Sequence, residues 1–298
     1  MLMRKILLPT LFFSLVFFVS CKKDIPDNGS GNPPVITIPD NDHLLPGNPS
    51  DAQTNPSSTT NYLKDNIYYK LSYNSAMGTP NWVAWHLQSE DMGSTPRQDD
   101  FRSDNALPTA WYRVASTSYS GSGFDRGHNC PSADRTSSVA ANSSTFLMTN
   151  MIPQSPTLNQ GPWAGLEDFT RSNLVGTTNE AWVFMGNYGN TGGVGNNGSF
   201  TAIDNGRVRV PSKVWKVIVV IPKGNNDLSR LNRTATVLCV SMPNDNRLYT
   251  VSNKNAWRDY LISVSALEIE STANGTPLSL FSNVEASERT LLKSKIYQ

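Results

Sequence analysis

The chain has 298 residues, 38% of them hydrophobic, and carries 25 Lys and Arg against 24 Asp and Glu. This length suffices for a domain with a sizeable hydrophobic core, and the near-zero net charge excludes a long basic arm or an acidic tail. Three cysteines are too few for a small disulfide scaffold. The lack of a basic surplus argues weakly against a nucleic-acid partner.

Residues 1–21 are predicted to be an export signal. Arg4 and Lys5 precede an uncharged apolar run over residues 6–20, which is too short to span a bilayer. The Ser20-Cys21 junction resembles a bacterial lipoprotein signal that is cleaved before Cys21, and ordinary signal cleavage is the alternative. We expect a lipoprotein of the cell envelope, at the outer membrane or cell surface, or a secreted protein. A lipid on Cys21 would be its only membrane contact.

Residues 22–60 are predicted to be a disordered tether rich in Pro, Asn and Ser. They hold seven of the 19 prolines and no aromatic residue, so little apolar surface is present to offset the entropy of ordering. One domain is expected over residues 61–298.

Short apolar runs broken by Gly, Pro and Asn predict several strands and fewer helices in this domain. The predicted strands are 82–87, 111–115, 146–150, 182–187, 214–221 and 234–240, and the predicted helices are 161–171, 255–264 and 284–295. Because strands and helices do not alternate regularly, the pattern indicates a mixed α+β fold and not a doubly wound sheet.

Only one of the three histidines stands among chemically active neighbours. His43 falls in the predicted tether, and His86 lies within an apolar strand, where a structural role is expected. His128 ends the sequence Asp-Arg-Gly-His at 125–128. Because imidazole exchanges protons near neutral pH, His128 is a candidate general base.

A second polar group follows at residues 159–171. If a helix begins near residue 160, Glu167 and Arg171 lie four positions apart on one face, with Asn159 near its start. Amide and carboxylate oxygens suit a hydrated Mg²⁺, whereas three dispersed histidines and no Cys-x-x-Cys make a zinc cage improbable. The alternative is that Asn159 caps the helix and that Glu167 and Arg171 form a solvated surface pair.

A basic stretch late in the chain has two interpretations. The stretch containing Arg207, Arg209, Lys213, Lys216 and Lys223 has no acidic residue, and alternation would place Arg207 and Arg209 on one strand face. This face is either a phosphate-binding stripe or a charged, soluble edge.

Cys130 and Cys239 could form a disulfide that braces the His128 loop or could remain as buried thiols, and the bridge is slightly favoured.

Together these motifs resemble the DNA/RNA non-specific endonuclease family, which is typified by the Serratia nuclease. The resemblance rests on the order and spacing of Asp-Arg-Gly-His at 125–128, Asn-Met-Ile-Pro-Gln at 150–154, Asn-Gln-Gly-Pro-Trp at 159–163 and Leu-Glu at 166–167. Weaker matches extend it over residues 62–290. It implies a mixed, mainly antiparallel central sheet flanked by helices, with a ββα-metal finger as the active site.

The resemblance implies catalytic and metal-binding residues around one metal ion. His128 would be the general base that activates water. Asn159 would bind one Mg²⁺, which Mn²⁺ could replace, and Glu167 would hold the ion through water. Arg97 would neutralise the negative charge that develops at phosphorus.

The substrate implied by the resemblance is DNA and RNA, cleaved with little sequence specificity to leave 5′-phosphate ends. Arg126 would assist catalysis and, with Arg171 and Arg135, would bind substrate, while Asp125 would hold the loop or orient a neighbour. Segment 97–171 holds six arginines and no lysine, and Arg contacts phosphate in a bidentate manner without reading sequence. The alternatives are a phosphodiesterase acting on a small non-nucleic-acid substrate and a non-catalytic surface lipoprotein.

Overall fold

The core of the protein is a six-stranded antiparallel sheet. The computed structural model describes residues 38–298, and the predicted signal, Cys21 and residues 22–37 lie outside them. The twelve strands are β1 (Tyr62–Asp65), β2 (Lys70–Asn74), β3 (Thr79–Leu87), β4 (Asp125–His128), β5 (Met151–Gln154), β6 (Asn179–Tyr188), β7 (Gly193–Gly195), β8 (Gly198–Phe200), β9 (Ala202–Ile203), β10 (Val208–Arg209), β11 (Lys213–Pro222) and β12 (Thr236–Pro243). The large sheet has the order β1-β2-β3-β6-β11-β12, and each neighbouring pair is antiparallel.

The helices lie on both sides of this sheet. The α-helices are α1 (Val139–Ser144), α2 (Pro156–Leu158), α3 (Ala164–Phe169), α4 (Asp227–Arg230), α5 (Val264–Ala273) and α6 (Ala286–Ser294). The π-helical segment Asn159–Trp163 joins α2 to α3, and a second one, Thr170–Val175, extends α3, so residues 156–175 form one irregular helical segment. The predicted mixed α+β class is confirmed. Within residues 38–298 no helix has the length and apolarity that a membrane crossing requires.

Alternation along β11 divides the interior into two cores. Ile218 and Val220 face the core that contains Trp163 of the 156–175 segment. Val217 and Val219 face the opposite core, which is covered by α5 and α6. Because successive side chains of a strand point to opposite faces, the nearly continuous apolar run of β11 fills both cores.

Four of the six strand predictions agree with the structure, and two do not. Segments 82–87, 182–187 and 214–221 lie within β3, β6 and β11, and 234–240 overlaps β12. Segments 111–115 and 146–150 are irregular or 3₁₀ structure instead. Trp111 accounts for one of these errors: its ring packs against Tyr62 at 5.2 Å and Tyr73 at 6.2 Å, so its burial comes from aromatic contacts and not from strand pairing.

The helix predictions differ from the structure mainly at one boundary. The 161–171 and 284–295 predictions correspond to the 156–175 segment and α6. The predicted helix 255–264 is a 3₁₀ turn at Ala256–Tyr260, and α5 begins only at Val264. The overlooked signal was Ser263, whose hydroxyl accepts a hydrogen bond from the Ala266 amide at 3.1 Å and caps α5.

The folded unit begins near Ile38, so the tether prediction is wrong for residues 38–60. Leu45 and Ala52 are buried in the core beneath α5 and α6. The indole N–H groups of Trp82 and Trp182 donate to Ser50 Oγ at 2.8 Å and to the Asp42 carbonyl at 3.0 Å. Few apolar residues suffice here because the segment also supplies acceptors for buried indoles, which composition does not reveal.

His43 belongs to this packed segment. Its Nε2 lies 2.9 Å from the Ile67 carbonyl, and its Nδ1 accepts from the His86 amide at 3.1 Å, an arrangement that requires the neutral ring. Burial, reinforced by the positive charges of Arg135 and Lys70, lowers the pKa of His43 to about 4.

His43 should make the fold sensitive to acid. Its pKa is lower in the folded than in the unfolded state, so it favours folding above pH 6.5, and this contribution is lost as the pH falls from 6.5 towards 4. Between pH 7 and pH 5 we expect a loss of about 1–2 kcal/mol from this residue. Urea unfolding of the wild type and His43→Gln at both pH values measures it, because only the wild type should show this additional loss. An equal pH dependence in the two proteins would contradict the assignment.

Candidate active site

The proposed catalytic residues are carried by a ββα unit. β4 pairs antiparallel with β5, with Asp125 opposite Gln154 and His128 opposite Met151. The chain then enters the helical segment 156–175, which carries Asn159 and Glu167. Two strands and a helix therefore bring together three motifs that are separated in sequence.

Gly127 allows the two strands of this unit to approach closely. A Cβ atom at this position would overlap the Gln154 side chain, which is fully buried against it. A larger residue would have to displace Gln154, so glycine is required between Arg126 and His128 by packing.

The His128 ring is fixed by two aromatic side chains. Phe101 and Phe146 contact it edge-on, with centroid separations of 5.5 and 5.0 Å. Its Nε2 is buried and has no hydrogen-bond partner among residues 38–298. A buried ring nitrogen without a partner is costly unless it serves a ligand or a water molecule.

The surroundings of His128 favour its neutral form. Burial is the main cause, and the nearby Arg97 and Arg126 guanidinium groups add to it, lowering the pKa of His128 to about 3. The neutral ring retains a lone pair that can accept a proton, as a general base requires.

Arg97 and Arg126 differ in how firmly they are held. Arg97 lies over the Phe146 ring at 4.8 Å and donates to Ser132 Oγ at 2.8 Å and Asp99 Oδ1 at 2.6 Å. Arg126 is exposed and stacks on Phe101 at 3.9 Å, and it forms no ion pair within residues 38–298. Both line an open cleft of about 440 Å³, so an anion entering it meets two guanidinium groups.

Asn159 is oriented by Asp125. Its Nδ2 donates to Asp125 Oδ2 at 2.8 Å, and the neighbouring Gln160 Nε2 donates to the same oxygen at 2.9 Å. Because the amide N–H is engaged, Oδ1 remains as the acceptor of Asn159 in the cleft. Asn159 follows α2 in helical conformation, so the alternative that it is a helix N-cap is wrong.

Glu167 belongs to a partly buried charge network. Lys216 Nζ lies 3.2 Å from Glu167 Oε1, and Arg171 donates to Asp134 Oδ1 at 2.7 Å and to Asp168 Oδ1. Burial raises the pKa of Glu167, while Lys216 and Arg171 oppose this increase. Arg171 is therefore directed at carboxylates and does not line the cleft, and the alternative of a simple solvated Glu167–Arg171 pair is also incorrect.

Arg135 is a structural residue, so the prediction that it binds substrate is wrong. It is 1% exposed, and its guanidinium donates to the carbonyls of Tyr68, Asp134 and His86 at 2.7–2.8 Å. These N–H groups therefore bind acceptors within the protein and do not face the cleft. Its guanidinium points inward partly because one of its acceptors, the His86 carbonyl, belongs to β3.

Arg135 and Arg126 should respond oppositely to the same substitution. Arg135→Met leaves three buried carbonyls without a donor, so we expect a loss of at least about 3 kcal/mol of unfolding free energy. Arg126→Met removes an exposed guanidinium, so stability should change by less than about 1 kcal/mol while cleavage slows. Urea unfolding and a cleavage assay on both variants decide the matter, and a stable Arg135→Met protein would contradict the structural role.

The donors around Asn159 suit a hydrated hard cation. Within residues 38–298 no group of three or more His, Cys, Asp or Glu side chains is placed to hold a metal. One oriented amide oxygen next to the Asp125 carboxylate matches Mg²⁺, which keeps most of its water, better than zinc, which needs several nitrogen or sulfur ligands.

The basic stretch from Arg207 to Lys223 does not form a continuous phosphate-binding stripe. Lys213 pairs with Glu270, Lys223 pairs with Glu90, and Lys216 is buried next to Glu167. Arg207 is exposed and stacks on Tyr112, while Arg209 is half-buried. The sequence places Lys216 in a possible stripe and does not predict its contact with Glu167, although its position among the core residues of β11 indicates burial.

Cys130 and Cys239 are separate buried thiols, so the disulfide prediction is wrong. Cys130 lies in the core that contains Trp163, and Cys239 lies in the core beneath α5. Since the central sheet separates these cores, the two sulfur atoms cannot meet. Burial raises the pKa of both thiols.

A neutral histidine near two guanidinium groups, on a ββα unit attached to an antiparallel sheet, is suited to the hydrolysis of an anionic ester. The sequence profile of the DNA/RNA non-specific endonuclease family matches residues 46–287. A protein described as a nuclease from Nostoc sp. is 42% identical over 254 residues, covering 85% of each chain. Nuclease C1 from Cunninghamella echinulata is 34% identical over 179 residues, which cover 57% of this chain and 69% of that protein.

The fold also matches a solved structure. A chain in the crystal structure of the EndoG/EndoGI complex superposes with a TM-score of 0.64 at 22% identity, covering 83% of this chain and 92% of that chain. This protein therefore belongs to the DNA/RNA non-specific endonuclease family, and its fold is EndoG-like.

Proposed function

We propose that the protein is an exported, Mg²⁺-dependent endonuclease that hydrolyses DNA and RNA with little sequence specificity and leaves 5′-phosphate ends. The observation that carries this proposal is the state of His128: neutral, with a buried Nε2 that has no partner among residues 38–298, next to Arg97 and Arg126. A phosphodiester in the cleft would offset the two positive charges. The pKa of His128 would then rise, so the bound substrate itself would strengthen the base.

The chain's own groups can then be assigned steps. His128 accepts a proton from the attacking water, and Arg97 and Arg126 hold the non-bridging phosphate oxygens, where negative charge grows in the transition state. Asn159 Oδ1, oriented by Asp125, would hold Mg²⁺ with water as its remaining ligands, and Glu167 would accept hydrogen bonds from that water. When bound, the ion would supply charge stabilisation at the phosphate and at the leaving oxygen.

Little sequence specificity follows from the kind of contacts that the cleft offers. Its positive groups are guanidiniums, which bind phosphate, a group that every nucleotide shares. Binding should therefore weaken steeply with salt. The relatives from Nostoc and Cunninghamella are also described as nucleases.

The test is cleavage of plasmid DNA, of RNA and of bis(p-nitrophenyl) phosphate by the purified protein, with and without EDTA. We expect EDTA-sensitive cleavage of both polymers, with products that ligate to a 3′-hydroxyl acceptor without prior kinase treatment. Cleavage of the small diester alone would favour the alternative of a small-substrate phosphodiesterase. No cleavage of any substrate with Mg²⁺ would favour a non-catalytic surface lipoprotein.

Export and lipidation of Cys21 are proposed from residues 1–21 alone. The support is the positive flank, the apolar run and the Ser20-Cys21 junction. Radiolabelled palmitate should label the wild type, and Cys21→Ala should abolish the label. Label that persists in Cys21→Ala would refute the anchor, and a label-free wild type in the culture medium would indicate secretion instead.

A further inference from the structure

Lys216 is a buried cation that the proposed reaction does not use. It is 1% exposed and lies in β11, which is flanked on both sides by other strands of the central sheet. Its ammonium group lies 4.7 Å from the Trp163 ring centroid and 5.7 Å from that of Trp85. Its distance to Glu167 Oε1 is 3.2 Å. Removing a lysine ammonium from water costs several kcal/mol unless a partner compensates, so this position calls for an explanation.

The helical segment that Lys216 contacts is irregular, so regular helix geometry does not fix the spacing of its side chains. Gly161 departs from helical geometry, with φ −97° and ψ −113°, and Pro162 follows directly. Asn159 precedes this kink and Glu167 follows it, about two helical turns further on. The spacing of the two side chains therefore depends on contacts between this segment and the rest of the protein.

Lys216 supplies such a contact from a strand that is paired on both sides. β11 pairs along its length with β6 and β12. Arg171, the other cation near Glu167, is held by Asp134, and Asp134 in turn accepts from Trp85 Nε1 at 2.9 Å. The charges therefore alternate in the order Lys216, Glu167, Arg171, Asp134. Of the two cations, Lys216 is the one that contacts Glu167 directly from the sheet.

We propose that Lys216 is a positioning residue, which holds the Glu167 carboxylate at the metal position marked by Asn159. This inference rests on the proposed function for the identity of the ion, but not for the contact itself. Lys216 touches neither substrate nor the reacting atoms, and it acts only through Glu167. A purely structural role would be neutralisation of a buried carboxylate, which affects folding without affecting metal binding.

The experiment measures Mn²⁺ binding by electron paramagnetic resonance in the full protein, for wild type and Lys216→Met. Lys213→Met is the matched control: it is the same substitution in the same strand, but Lys213 pairs with Glu270 of α5. We expect Lys216→Met to weaken Mn²⁺ affinity about 10-fold or more and to lower kcat on plasmid DNA 10- to 100-fold with little change in KM. Lys213→Met should retain wild-type affinity and kcat.

A double-mutant cycle separates positioning from stability. If Lys216 acts through Glu167, Lys216→Met in a Glu167→Gln background should alter Mn²⁺ affinity less than about twofold. Should Lys216→Met fail to fold, Lys216→Gln retains a hydrogen-bond donor without the charge and is measured instead. Wild-type Mn²⁺ affinity in a folded Lys216 variant would overturn the proposal, as would a full additional loss in the double variant. Because binding is read directly, a protein that binds Mn²⁺ but cleaves nothing would refute the proposed function and still test Lys216.

Discussion

Replacing His128 with alanine should lower the cleavage rate at least about 1,000-fold, within the range expected for loss of a positioned general base. Nothing else in the site can assume this role easily, since the carboxylates near it are engaged: Asp125 by Asn159 and Gln160, and Asp99 by Arg97. The measurement is initial rates on plasmid DNA at saturating Mg²⁺, with circular dichroism to confirm the fold. A variant that retains more than a tenth of the wild-type rate would exclude His128 as the base.

The space that His128→Ala creates offers an internal control. It lies between the Phe101 and Phe146 rings, where an aromatic molecule of imidazole size can enter. Free imidazole should restore part of the lost rate in His128→Ala but leave the wild type unaffected. Recovery of activity would show that the loss was a loss of base and not of folding.

The protonation of His128 can be observed without a rate measurement. Because its pKa is lowered to about 3, its ring should remain neutral from pH 8 to pH 5 in ¹⁵N NMR spectra, which contain only three histidines. Arg126→Met removes a positive neighbour, which makes protonation easier and moves the titration midpoint upward. A wild-type midpoint near 6.5 would contradict the arrangement of burial and guanidinium charges.

Asn159→Ala should have the second-largest effect, through the metal. It removes the amide oxygen that Asp125 orients, so activity at submillimolar Mg²⁺ should fall about 100-fold or more and recover in part at high Mg²⁺. Gln160→Ala is the matched control. This neighbouring amide donates to the same Asp125 oxygen, yet its loss should cost less than about tenfold. Rates measured against Mg²⁺ concentration distinguish the two, and an equal loss in both variants would show that the Asp125 contact matters more than the Asn159 oxygen.

The short motifs indicated the family correctly, whereas the overall composition pointed away from a nucleic-acid substrate. Near-zero net charge argued against a nucleic-acid partner, but the relevant charges are the guanidiniums of Arg97 and Arg126 in one cleft. Bulk charge averages over the whole surface, whereas phosphate binding depends on where a few cations stand. The motif from 125 to 128 marks that place because its glycine permits the close strand pairing that orients His128.

The errors share a physical cause. Arg135 belongs to the arginine-rich segment 97–171, yet its guanidinium serves backbone carbonyls inside the fold. Residues 38–60 are poor in apolar side chains, yet they pack against two tryptophans. In both cases the decisive partner lies far away in sequence. The sequence shows which contacts a side chain is able to make, but it does not show which distant residue becomes its partner in the fold.

The sequence by itself determined the family and the α+β class and singled out His128, Asn159 and Glu167 as candidate site residues, because strand periodicity and motif spacing are local properties of the chain. Only the tertiary structure decided how these groups are set: the edge-on contacts of His128 with two phenylalanines, the engagement of Arg171 by Asp134, and the burial of Lys216 next to Glu167. The 156–175 segment meets β4 through Asn159 and Asp125, and it meets β11 through Glu167 and Lys216. The charge state and orientation of a side chain depend on the burial and the neighbours that this meeting creates.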